Sequence, residues 1–357
     1  MNNISKQTTL TAPFPWFGGK FLACDQVWEA FGSVQNYVEP FAGSAAMLLG
    51  APVENRVETI NDFDGFVANF WRAVAYDPEA VANYADWPCN ENDLFARHSW
   101  LVSQKEELKK RLHGNPEWFD SKIAGWWCWG LCNWIGSGWC SGAGPWVHNG
   151  ETLVDIRKLP HLGDAGRGIK RQLPHLGNAG LGINRKLPHL GDAGQGINRQ
   201  LPHLSAGQVS RREFIFDWMG ALHERLRDVR VTCGDWSRVC KESVTVRHGL
   251  TAIFFDPPYT KGSMDYSDGG MGLGIADDVR AWCIANGTNS KLRIVLCGHE
   301  GEHDALLAHG WHTRKWVARK GYALTAEAKN NSASETLWCN QHCVPVDKTC
   351  DLFGEMT

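Results

Sequence analysis

The chain has no apolar run long enough to span a bilayer, so no membrane-crossing helix is expected. Its opening residues, MNNISKQTTL, lack the basic-then-apolar pattern of a secretory signal, and a cytoplasmic protein is expected. A disulfide framework is also missing. The 12 cysteines are scattered through helical and strand-like stretches, which points to reduced thiols. No standard zinc spacing occurs: Cys339, His342, Cys343 and Cys350 match none, and no metal is expected. Strong overall charge is absent too. The net value of −3 argues at first against a nucleic-acid partner. Hydrophobic content of 43% and charged content of 21% are ordinary for a soluble globular protein. A chain of 357 residues suggests about two domains, or one domain with a large insertion.

The charge is unevenly placed. From Arg157 to Arg212 there are ten basic and two acidic residues, so this segment carries +8 and the remainder −11. Much of it is a tandem repeat of period 14: LPHLGDAGRGIKRQ from Leu159, LPHLGNAGLGINRK from Leu173 and LPHLGDAGQGINRQ from Leu187, then a partial copy from Leu201. Glycine and proline in each copy disfavour a long helix and favour short strands or coils joined by turns. His161, His175, His189 and His203 recur without a Cys or acidic partner at ligand spacing, which disfavours a metal array. Phosphate contact by Lys170, Arg171, Arg185, Lys186 and Arg199 is the preferred reading, against a surface insertion without function.

The stretch with most chemical content is Ala252–Tyr259, AIFFDPPY. It reads as a buried strand delivering Asp256, Pro257, Pro258 and Tyr259 at its carboxyl end, where open α/β sheets bind ligands. The proline stiffens the backbone and keeps Asp256 extended. Asp256 and a neighbouring carbonyl could accept from the NH2 of a planar base, with Tyr259 stacked on its ring. A simple proline-rich turn is the alternative.

Other segments supply companions. In PFPWFGGK, Gly18 and Gly19 allow close backbone approach, Trp16 offers a flat wall and Lys20 can reach a carboxylate. Asn36–Leu49 reads as strand, turn at Gly43 and helix, with Ser44 as N-cap. Val57–Asp64 reads as a second strand ending in acids, of which Asp62 could hold ribose hydroxyls. Helices are expected over 66–75, 97–112, 212–229, 277–286 and 299–309, and strands over 230–233, 293–297, 311–318 and 336–339. Asp235 follows a strand and could accept from an adenine amino group. Six tryptophans fall between Trp126 and Trp146, where core packing is weighed against a base pocket. Residues 260–274 are glycine-rich and read as a lid.

Taken in order, PWFGGK, VEPFAGSAA, INDFD, VTCGDW, FFDPPY, IVLCGHEGEHDALL and SETLWCN resemble the Dam-like, D12 class DNA adenine-N6 methyltransferases. The resemblance implies a Rossmann-like α/β sheet, mostly parallel with an antiparallel closing strand. It implies a core of 13–76 and 213–343, a target-recognition insertion of 77–212 containing the repeats 159–205, and a tail of 344–357. It implies S-adenosylmethionine as cofactor, bordered by Trp16, Lys20, Glu39, Phe41, Gly43, Asp62 and Asp235. Asp256, Pro257 and Tyr259 would hold the target adenine. The implied partners are double- or single-stranded DNA and a restriction endonuclease. Ala45 stands where the family often has a second glycine, and few basic residues flank Cys132–Gly136. Methylation of cytosine N4 and a non-catalytic DNA-binding module on the same fold are the rival readings.

Overall fold

Alternate residues of the buried strands face opposite sides of one sheet, and this builds two cores. In the strand that precedes Asp256, Ala252 and Phe254 join one core while Ile253 and Phe255 join the other. A computed structural model describes residues 10–16, 20–134, 139–140, 146–148, 153–155, 211–258, 274–315 and 335–345. The basic repeats, the 260–273 part of the expected lid, Tyr259, Phe17–Gly19 and Cys350 lie outside the described residues.

The strands are β1 (Asn36–Glu39), β2 (Val57–Asp62), β3 (Trp146–His148), β4 (Leu153–Asp155), β5 (Val229–Cys233), β6 (Thr251–Phe255), β7 (Leu292–His299), β8 (His312–Lys315) and β9 (Glu335–Cys339). The helices are α1 (Cys24–Phe31), α2 (Ala46–Leu49), α3 (Gly65–Tyr76), α4 (Pro78–Ala85), α5 (Glu91–Gly114), α6 (Ser121–Asn133), α7 (Arg211–Leu226) and α8 (Ile275–Asn286). Seven strands run in the order β5-β2-β1-β6-β7-β9-β8. The first five are parallel, while β9 pairs antiparallel with both β7 and β8. This is the mostly parallel, Rossmann-like sheet expected, with antiparallel closing strands. The order reverses between β1 and β6, and such switch points are where open α/β sheets hold ligands.

Local chemistry sets the helix starts. Asp64, Asp77, Asn90 and Asp120 cap α3, α4, α5 and α6, each accepting from a backbone N–H of the first turn. Pro78 at the first position of α4 sacrifices no helical bond. Helices α3, α4, α6 and α7 pack on one another beside the sheet. No helix among the described residues is long and apolar enough to cross a membrane.

Several expectations need correction. Ser44 does not cap α2; Ala45 takes that place in a left-handed conformation (φ 50°, ψ 35°) without a side-chain bond. The helix expected over 299–309 is a short 3-10 turn, Asp304–His309. Gly301 and Gly310, at φ 84° and 81°, interrupt the helical path on either side. The helix expected over 97–112 starts at Glu91, because Asn90 supplies an earlier cap. The hairpin β3–β4 had no counterpart in the sequence reading. Where it is described, the tryptophan-rich stretch falls mostly on the core side of its two readings: Trp127 and Trp129 are fully buried in α6, and Trp134 and Trp139 are buried beyond it.

Candidate active site at the carboxyl edge of the sheet

Glu39 ends β1 and begins the turn to α2. Its Oε2 accepts from the Tyr37 hydroxyl (3.0 Å) and from the Leu48 N–H (3.2 Å), tying strand to helix across the turn. Burial drives its carboxyl up to about 8. Gly43, at φ 47°, takes the left-handed shape that favours glycine. A Cβ there would overlap the Trp16 indole nitrogen. The Trp71 Nε1–H donates to Gly43 O (2.9 Å), so indoles brace the turn on two sides.

The turn is also tied to β2. Asp62 Oδ2 accepts from Gly43 N–H (2.9 Å), and its Oδ1 accepts from Asp64 N–H (2.8 Å). Burial first, then the Asp64 charge, lift Asp62 to about 7. The neighbouring Asn61 donates to Pro40 O (3.0 Å) and Gly234 O (2.9 Å), stapling the loops after β1 and β5 together. Sequence reasoning gave Asn61 no role; its place beside Asp62 at a strand end was the available signal. After β5, Asp235 Oδ1 accepts from Ser237 N–H (2.9 Å) and caps the turn Trp236–Cys240. Phe41 stacks on Trp236, with centroids 6.2 Å apart, and Phe255 meets Trp236 edge-on at 5.8 Å.

Asp256 leaves β6 on the other side of the switch point. Its Oδ2 lies 3.2 Å from Lys20 Nζ. The same ammonium is 3.6 Å from Glu335 Oε1, on the first residue of β9. Burial would lower the Lys20 pKa, but Asp256, Cys297 and Glu335 outweigh it and hold it well above the ordinary lysine range. Burial raises the Glu335 carboxyl, and Lys20 partly offsets this. Pro257 is buried directly after Asp256.

The structure therefore gathers Trp16, Lys20, Glu39, Phe41, Gly43, Asp62, Asp235, Asp256 and Pro257 along one sheet edge, on the loops that leave β1, β2, β5 and β6 and the segment before α1. Tyr259 and the basic residues Lys170, Arg171, Arg185, Lys186 and Arg199 lie outside the described residues. Glu335 was missed as a site residue, although it stands within the quoted SETLWCN. Of the zinc-like residues near the end, His342 and Cys343 are engaged in the fold. Cys343 Sγ donates to Ile294 O (3.4 Å), and the His342 ring bonds Thr288 O (3.0 Å).

The donor set fits a nucleoside cofactor. Acids at the ends of β2 and β5 complement hydroxyl and amino groups, aromatic faces flank Asp235, and a glycine turn sits at the first strand. No curated relative matches the chain. Residues 16–113, which hold Lys20, the Gly43 turn and Asp62, match the family described as D12 class N6 adenine-specific DNA methyltransferase, and over that stretch the resemblance drawn from the sequence is borne out.

Proposed function

We propose that this chain methylates the N6 amino group of adenine in DNA, using S-adenosylmethionine and a base flipped out of the duplex. The observation that carries this reading is Asp256. It is a carboxylate on a proline-stiffened backbone at the switch point, tethered to a buried lysine. The family match supports the substrate class.

S-adenosylmethionine, when bound, supplies an electrophilic methyl group. Gly43 and Trp16 shape the turn against which it would lie. Asp62 would hold the ribose and Asp235 the adenine ring, with Phe41 as an apolar wall. Lys20 and Glu39 complete the methionine side. The target amine is a poor nucleophile, because its lone pair is delocalised into the ring. Asp256 and the Pro257 carbonyl would each accept one of its hydrogens, which localises the lone pair as the new bond forms. Tyr259 would stack on the base; stacking of about 1–3 kcal/mol offsets much of the cost of flipping.

In this reading 13–76 and 213–343 form the catalytic core. Residues 77–212 select the target, with Lys170, Arg171, Arg185, Lys186 and Arg199 on phosphates.

The test is Asp256→Ala. Methylation of DNA should fall by at least about a thousandfold while the affinity for S-adenosylmethionine holds. Wild-type-like turnover in that variant would overturn the reading. Mass spectrometry of the digested product separates N6-methyladenine from N4-methylcytosine.

A further inference from the structure

Glu335 has no task in the mechanism above, yet it is built into the site. Strand β9 runs against the parallel strands, with Glu335 opposite His299, so its first residue arrives at the edge where the others end. Lys20 is 4% exposed and Glu335 13%, and one ammonium serves both Glu335 and Asp256. Among the described residues, Glu335 Oε2 is buried without a hydrogen-bond partner. Charge pairing does not require this arrangement. Lys20 and Asp256 already neutralise each other, while a second carboxylate adds desolvation and an unsatisfied acceptor.

We infer that Glu335 is a positioning residue for methyl transfer, sharing Lys20 so that Asp256 keeps a net negative field beside the target amine. The inference rests on the function proposed above. In the transfer the N6 lone pair forms the N–CH3 bond, the C–S electron pair stays on sulfur, and one N6 proton is released towards Asp256. Positive charge therefore grows on N6, next to Asp256. A lone Lys20–Asp256 pair would present no net charge there. With Glu335 the triad carries one negative charge, which favours the developing cation in a site with little water to screen it. The titratable groups facing the triad are Cys297 and His299 on β7 and Glu39 on β1.

Glu335→Gln keeps the shape and removes the charge. The expected result is a kcat about tenfold lower, with the S-adenosylmethionine Kd, read by calorimetric titration, within about twofold and the melting temperature unchanged. Glu335→Asp, which keeps the carboxylate, should recover most of the rate. An unchanged kcat in Glu335→Gln would overturn the inference. So would a loss that lies wholly in cofactor affinity, or one that Glu335→Asp shares in full. Absence of methylation by the wild-type chain would overturn the proposed function and this inference with it; methylation indifferent to Glu335→Gln overturns this inference alone.

Discussion

At the sheet edge Lys20 is buried between two carboxylates, whereas in the helical region Arg97 is buried among three indoles. The Arg97 guanidinium lies 5.0, 4.8 and 4.3 Å from the ring centres of Trp87, Trp126 and Trp129. Next to it His98 stacks on Trp134 at 4.8 Å, and burial lowers its pKa to about 4, so it is neutral at pH 7. Ring faces hold a cation by a fixed quadrupole that no proton transfer alters. Carboxylates hold it by charges that can be shared, shifted and neutralised. The first arrangement suits a scaffold, and the second suits a place where charge must move. Substitutions in the helical region should therefore change stability and leave chemistry per folded molecule alone, while those at the edge should reach the charges and the binding surface, whatever they do to stability.

The sharpest test of the scaffold side is Gly130→Ala. The new Cβ would overlap the ring of Trp139, whose Nε1–H donates to Trp127 O (3.1 Å) within the aromatic cluster. The variant should lose about 3 kcal/mol of stability in urea unfolding, with methylation per folded molecule near wild type. A stable variant with impaired turnover would break the comparison.

Glu39 tests whether the edge buries a carboxyl at a cost. Unfolded, its carboxyl titrates near 4.5; folded, near 8. Between those values the folded chain keeps a proton that the unfolded chain has released, so stability should fall as pH rises from about 5 to 8. In Glu39→Gln the amide oxygen can still accept from Tyr37 and Leu48, and the decline should flatten, by on the order of 3 kcal/mol at pH 8. Parallel stability curves for the two proteins would remove Glu39 from the set of groups buried at a cost.

The smallest effect is expected at the turn. Gly43→Ala forces a side chain into the left-handed region and against Trp16. S-adenosylmethionine should bind about tenfold more weakly, equivalent to roughly 1.4 kcal/mol, and the strained turn should lower the melting temperature by a few degrees, on the order expected for 1–2 kcal/mol. Unchanged affinity would show that the turn does not touch the cofactor.

Much of this was readable in the residues. The run Ile253–Phe255 announced a buried strand, and Asp256 before two prolines announced a polar group at its end. Both readings are local, and local chemistry decided them. What failed depended on geometry that side-chain type does not encode. Ser44 has the right chemistry for a cap, but the backbone turns one residue later, at Ala45. The expected helix over 299–309 contains hydrophobic spacing that suits a helix, but it also contains Gly301, whose left-handed backbone ends one. Glu335 was visible as a letter in SETLWCN and invisible as a site residue. Its neighbours Lys20 and Asp256 reach it only because β9 inserts between β7 and β8, a pairing that no short window of sequence specifies. Asp62 and Asp235 stood out as acids at strand ends, and in the structure each holds a backbone turn.

The late strand β9 has a consequence for the order in which the protein is made. Lys20 leaves the ribosome early, Asp256 much later and Glu335 later still, after β8. Until β9 docks, β7 is an edge strand with unpaired backbone groups, and Lys20 lacks its pairing with Glu335. A chain stopped before residue 335 would have most of its sheet and the Gly43 turn, but not the charge balance around Asp256. Docking of β9 thus acts as a licence: most of the described sheet can form before it, while Glu335 joins Lys20 and Asp256 only when this strand is in place.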